Sequence, residues 1–217
     1  MMSVASEAVK RGGSKGGAML DKSATIEEFL SAAAAKQPTP GGGSAAALTG
    51  ALAASMGEMV LNYSVAKKGL ENYRAELTAA LHEMHNAREM MTQLMLEDQG
   101  AYEAMTAARK LPTESPERME AIMLGVRVPM TIAATALAIL ELAEKVAGKV
   151  NHNLLSDLAV CVELSMSAAR SAIYNVRVNF PEVDADERKN IEETCATLLT
   201  QATESIKRVI PAIMSRI

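Results

Sequence analysis

An all-α fold, an antiparallel bundle of about six long helices of unequal length, follows from three features of the sequence. Alanine, leucine, methionine, glutamate and lysine dominate the chain, and all are strong helix formers. Runs that alternate apolar and polar residues, the mark of half-buried strands, are absent. Proline, glycine and polar clusters cut the chain into helix-length segments with short connections, which makes successive helices antiparallel neighbours. At 217 residues, 49% apolar and 22% charged, the chain has material for a sizeable core and lies far from disordered compositions.

Residues 1–22 read as a flexible tail, because Gly12, Gly13, Gly16 and Gly17 punctuate it and its apolar residues are scattered. The apolar run of a signal peptide is missing there. Residues 23–217 read as one helical domain. Thr25-Ile26-Glu27-Glu28 has the form of a capping box and opens a short first helix. Pro38 and Pro40 stop it, since each removes an N–H and biases its predecessor away from α geometry. A second helix is expected over 43–66 and a long third over 70–110, closed by Leu111-Pro112. Ser115 caps the fourth, with Pro116 in its first turn. That helix should reach about residue 147, kink at Pro129 and end at Gly148. A fifth is expected over 157–178, capped by Ser156 or Asn153. Pro181 breaks the chain, and a sixth runs from 184 to near the end, with a kink at Pro211.

A third helix of about 40 residues would extend about 60 Å, whereas a compact chain of this size has a radius of gyration of about 17 Å. Such helices project, and a symmetric homodimer is the expected way to cover them. Composition also excludes functions. Aromatics are 3% with no Trp, and the net charge is −4, so stacking on bases and neutralising a phosphate backbone are both disfavoured and no nucleic-acid partner is expected. The two cysteines, Cys161 and Cys195, do not make a disulfide framework, and no Cys/His spacing suggests a metal site. The longest apolar stretches, 45–56 and 128–140, are shorter than a bilayer span, so no membrane partner is expected. A cytoplasmic location follows from the same reading.

Five segments carry chemistry. Pro40, Gly41, Gly42, Gly43 and Ser44 open the second helix with exposed N–H groups, where the helix dipole favours an anion or a polar carbonyl. No Lys follows, so this is not a P-loop. Gly43, Gly50 and Gly57 recur every seven residues and suit close packing by another backbone, so this segment serves packing, a ligand, or both. Lys67-Lys68 at a helix end offset the dipole or dock an acidic ligand tail. Asp98 and Tyr102, at i and i+4, share a helix face; they are solvated helix residues or a pair that orients a ligand and moves a proton. Asn151, Ser156 and Asp157 surround a helix start. They are caps, or else Asp157, heading an apolar helix, is an acid–base carboxyl with a raised pKa. Asn175 and Asn179, one turn apart, bring amides suited to the donor–acceptor edge of a heterocycle. Asp157 and Asn175 lie about 27 Å apart along a straight helix. A small site containing both needs a second subunit.

The run Pro38-Thr39-Pro40-Gly41-Gly42-Gly43-Ser44-Ala45-Ala46-Ala47 resembles the signature of the cyclodeaminase/cyclohydrolase family of folate enzymes. That family includes the C-terminal domain of formiminotransferase-cyclodeaminase and stand-alone methenyltetrahydrofolate cyclohydrolases. Lys67-Lys68, Asp98 with Tyr102, Leu111-Pro112, Val128-Pro129, Asn151 with Ser156-Asp157, and Asn175-Val176 with Asn179 follow in order. His152 and Gly69 depart from the pattern, the first where an apolar residue is expected and the second where a longer side chain is.

The resemblance implies an all-α dimer acting on the carbon that bridges two nitrogens of tetrahydrofolate, with no cofactor beyond that substrate. Hydrolysis of 5,10-methenyltetrahydrofolate to 10-formyltetrahydrofolate is the leading expectation, since the sequence shows no formiminotransferase segment. Release of ammonia from 5-formiminotetrahydrofolate is the second, and a non-catalytic folate-binding helical protein the third. In this picture Asp157 is the acid–base group and Asp98 a second carboxylate. The turn from Pro40 to Ser44, Tyr102, Asn151, Ser156, Asn175 and Asn179 hold the pterin or the bridging carbon, and Lys67 and Lys68 take the anionic glutamate tail.

Overall fold

The computed structural model describes residues 20–217, so all but the last three residues of the expected tail lie outside the described residues. Six α-helices are present: α1 (Ile26–Ala34), α2 (Gly42–Val65), α3 (Arg74–Ala108), α4 (Pro116–Val146), α5 (Leu155–Arg177) and α6 (Ala185–Met214). Short 3-10 turns, Glu71–Tyr73, His152–Leu154 and Phe180–Glu182, lie in three of the connections, and no strand occurs among the described residues.

Local signals set most boundaries. The Thr25 side chain accepts from the Glu28 N–H at 3.1 Å while Glu28 accepts from the Thr25 N–H at 2.7 Å, a complete capping box. Ser115 and Asp184 cap α4 and α6. Helix α4 ends at Val146 with Ala147 as its C-cap, so Gly148 stands just past the end as expected. Among the described glycines only Gly69 has positive φ. One expectation needs correction. Neither Ser156 nor Asn153 caps α5. Asn151 Oδ1 instead accepts from the Asn153 N–H and starts a 3-10 turn that runs unbroken into α5, so the helix begins at Leu155 and Ser156 sits inside its first turn. Gly69, at φ 91°, donates its N–H to Glu71 Oε2. A longer side chain would be strained there, which accounts physically for that departure from the family pattern.

Helices α2, α3, α4 and α5 form a closed four-helix bundle in which each packs on its sequence neighbour and α2 closes the ring against α5; α6 lies across α4 and α5. The antiparallel direction of α2 and α5 is seen at both ends. The Asn151 N–H donates to Ser64 Oγ at one, and Asn175 lies against Gly42 at the other. One hydrophobic cluster, from Phe29 to Ile213, fills the interior. The α2 glycines explain how α3 approaches so closely. Side chains fill the space, not the backbone that the spacing suggested: a Cβ at Gly50 would meet the Met91 Cε at 2.5 Å, and one at Gly57 the Met84 Cε at 2.6 Å. Helices α2 and α4 are long and apolar enough to cross a membrane by composition, and 56% of each apolar window is buried within the bundle.

Candidate active site

A cleft of about 320 Å³ opens at the end of the bundle where α2 begins and α5 ends. Its walls come from the 38–43 turn, one face of α3, Gly125 and Pro129 of α4, and the end of α5. The Thr39–Pro40 peptide is cis. Pro40 is buried and stands behind the lining, while Gly41, Gly42 and Gly43 line the cleft directly.

Asp98 reaches from α3 to the start of α2. Its Oδ2 accepts from the Ser44 N–H at 2.7 Å and from the Ser44 hydroxyl at 2.8 Å. Helix α2 has no side-chain cap at Gly41 and no acidic residue in its first turn, so Asp98 supplies the negative charge its N-terminus favours. The contact requires glycine at 43, since a Cβ there would overlap the Asp98 carboxylate. Burial pushes the Asp98 carboxyl above the ordinary aspartate range, and the two Ser44 hydrogen bonds pull partly against it.

Asn175 donates through Nδ2 to the Ser171 carbonyl at 2.8 Å, and Asn179 through Nδ2 to the Gly125 carbonyl at 2.8 Å. These bonds hold the amides and leave each Oδ1 as an acceptor. A Cβ at Gly42 would lie 2.8 Å from Asn175 Oδ1, so the glycine gives that oxygen its room. Tyr102 stands one turn beyond Asp98 on the same face of α3. The cleft thus offers a carboxyl with a raised pKa, a phenol and amide oxygens beside an apolar floor of Ala101, Met105 and Pro129.

The structure therefore brings together Gly41, Gly42, Gly43, Ser44, Asp98, Tyr102, Asn175 and Asn179. Lys67, Lys68, Asn151, Ser156 and Asp157 form a second group at the opposite end of the same bundle, and among the described residues neither Lys67 nor Lys68 makes an ion pair. Asn151 is engaged in the turn, and Asp157 lies half-buried in the first turn of α5. Met105, Thr106 and Arg109 line the cleft and were not singled out from the sequence, although they continue the Asp98–Tyr102 face at i+7, i+8 and i+11. Among the described residues no three His, Cys, Asp or Glu side chains gather as metal ligands do.

The chain is 34% identical to methenyltetrahydrofolate cyclohydrolase of Methylorubrum extorquens, across 89% of this chain and 97% of that protein. It is 27% identical to pig formimidoyltransferase-cyclodeaminase over 88% of this chain, and spans 37% of that longer protein. Among solved structures, formiminotetrahydrofolate cyclodeaminase of Thermotoga maritima superposes with a TM-score of 0.84 at 28% identity, covering 89% of this chain and 97% of that one. The profile of the formiminotransferase-cyclodeaminase family matches residues 25–197, a span that holds the glycine turn, Asp98 and both asparagines of the cleft. By that match, and by its likeness to the bacterial cyclohydrolase, the chain belongs to the formiminotransferase-cyclodeaminase family.

Proposed function

We propose that the protein is a folate one-carbon enzyme that hydrolyses 5,10-methenyltetrahydrofolate to 10-formyltetrahydrofolate. The observation that carries this reading is Asp98, a carboxyl with a raised pKa, anchored on the α2 N-terminus at the wall of a cleft rich in acceptors. The Asn175 and Asn179 Oδ1 atoms suit the ring N–H and amino donors of a pterin. Attack of water on the methenyl carbon gives a tetrahedral carbon bonded to two nitrogens. Asp98 takes the proton from the attacking water. It then returns that proton to the ring nitrogen as the carbon–nitrogen bond to it breaks, while the hydroxyl on the tetrahedral carbon loses its proton to solvent and becomes the carbonyl of the formyl group left on the other nitrogen. A carboxyl whose pKa is raised serves both steps better than an ordinary one. The second reading is the cyclodeaminase reaction, in which the side-chain nitrogen attacks a formimino carbon and ammonia leaves. It passes through the same kind of tetrahedral carbon, and the pig and Thermotoga relatives support it.

The protein works, in this reading, as a cytoplasmic homodimer using no cofactor beyond the folate, metal included. Helix α3, 35 residues long, projects about 50 Å. The adjacent α2 and α5 leave Leu52, Tyr63, Val160 and Tyr174 exposed. A two-fold axis crossing this face would set one chain's Asp157, Lys67 and Lys68 beside the other chain's Asp98. If each site draws on both chains, mixing inactive Asp98→Asn and Asp157→Asn proteins restores about a quarter of the activity, since random pairing leaves one intact site in half the dimers. No recovery, or full activity of Asp157→Asn alone, removes the shared site.

The absorbance of the methenyl group tests the reaction. Its loss from 5,10-methenyltetrahydrofolate identifies the cyclohydrolase. Its appearance from 5-formiminotetrahydrofolate, with ammonia, identifies the cyclodeaminase. Folded protein that binds folate but does neither is the non-catalytic binder.

A further inference from the structure

The cleft does not stop at the pterin-sized space beside Asp98. Asp98, Tyr102 and Met105 form a single row on α3 that Arg109, the C-cap of the helix, completes, and all four line the cleft, a track of about 16 Å along the helix axis. The row changes character along its length. It starts at the carboxyl, passes the Tyr102 ring, Met105 and Val178 just past the end of α5, and ends at a guanidinium. A tetrahydrofolate has the same order of parts and a comparable reach: reacting heterocycle, aryl ring, anionic glutamate.

The cationic end carries more positive charge than its local partner neutralises. Arg109 donates through Nε and Nη2 to Glu182 Oε1, at 3.0 and 2.7 Å. Arg118 approaches Oε2 of the same carboxylate at 3.5 Å, so two guanidiniums share one acidic group. The Arg118 Nε is buried with no hydrogen-bond partner among the described residues. The nearby acids Glu117 and Glu120 are engaged elsewhere, with Ser115 and Arg127. Arg109 is half exposed, lines the cleft, and has its Nη1 outside these two bonds, so its planar guanidinium can take a carboxylate as well. Within one protomer Lys67 and Lys68, the basic pair marked by the sequence, stand at the opposite end of the bundle.

We propose that Arg109, backed by Arg118, anchors the glutamate carboxylates of a folate that lies along α3, and that Glu182 holds Arg109 in place until the substrate shares it. The proposal rests on the folate reading above. The test compares 5,10-methenyltetrahydrofolate with 5,10-methenyltetrahydropteroate, which lacks the glutamate, and measures equilibrium binding of 5-formyltetrahydrofolate separately. Arg109→Gln should raise KM for the glutamylated substrate about tenfold, the scale of one charge-assisted contact, while kcat and the KM for the pteroate compound stay near their wild-type values. Arg109→Lys should recover part of the loss, and Glu182→Gln should lower KM for the glutamylated substrate by freeing the fork.

Equal effects of Arg109→Gln on both substrates, or on neither, overturn the proposal. So does the reverse pattern, in which Lys67→Ala/Lys68→Ala alone abolishes discrimination between the two. Wild-type protein that binds 5-formyltetrahydrofolate, yet shows no loss of binding on Arg109→Gln, overturns the anchor and leaves the folate reading standing. Wild-type protein that binds no folate overturns both.

Discussion

Two ends of the α2–α3 seam share one geometry and do different things. At Gly50 and Gly57 the knobs from α3 are Met91 and Met84, both fully buried. At Gly43, seven residues before Gly50, the knob is Asp98, seven residues after Met91. Spacing, direction and depth of insertion repeat along the seam, and only the side chain changes. Where the knob is a thioether the seam is core, since methionine adapts its shape to the space and asks for no hydrogen bond. Where it is a carboxylate at the bundle end, the same insertion loads an acid onto a helix N-terminus and desolvates it. The candidate acid–base group is a core contact with its chemistry exchanged.

The largest break in this comparison is Asp98→Asn, which keeps the knob and removes the titrating group. Activity should fall by about 10²–10⁴-fold, the usual worth of a positioned acid–base group, as read from kcat. Stability should move the other way. Because burial raises the folded-state pKa, the protonated carboxyl's contribution is full below the unfolded pKa and is lost as pH rises through the folded value. The variant should therefore be at least as stable as wild type near about pH 8. The gap should close by about pH 3.5, below the ordinary aspartate value of about 3.9, as denaturant melts at both pH values would show.

Next comes a matched pair of substitutions in the glycines. Gly43→Ala should cost about 10²-fold in kcat/KM, because the new methyl must displace a carboxylate tied to Ser44. Gly50→Ala should cost about 1–3 kcal/mol in stability, because Met91 must swing aside in a packed core. Its folded fraction should turn over like wild type. If both substitutions damage only stability, the two ends of the seam do not differ as described here.

The smallest expected effect is Ser44→Ala. The Ser44 N–H still donates to Asp98, but the hydroxyl no longer lowers its pKa. The acidic limb of the pH–rate profile should move upward by less than about one unit, with a modest loss of kcat. A profile that does not move would separate the activity from Asp98.

Much of this was readable along the chain. The capping box at Thr25 and Glu28, the Ser115-Pro116 start and the start of the sixth helix at Asp184 are local signals, and each appears where its residues stand. The glycine turn and the two asparagines Asn175 and Asn179 were likewise visible, because their residue types are unusual in plain helix, whereas Asp98 and Tyr102 stood out through their shared face and the family resemblance. The start of α5 was less so, because a 3-10 turn joins the helix without an interruption that composition could mark. Arg109 drew no notice, since an arginine at a helix end already has an ordinary explanation in the dipole. Its place in the cleft depends on Glu182, 73 positions away.

Helix formation, helix ends and the small-residue face of α2 belong to the chain's local chemistry, since backbone propensity, capping and side-chain size act within a few residues. The partner of each glycine is a different matter. Antiparallel register sets Asp98, Met91 and Met84 against Gly43, Gly50 and Gly57, and it is a property of two packed helices. The same packing separates Asp157 from Asp98 by the length of the bundle and gives the raised pKa to Asp98, because desolvation is a sum over neighbours that only folding assembles.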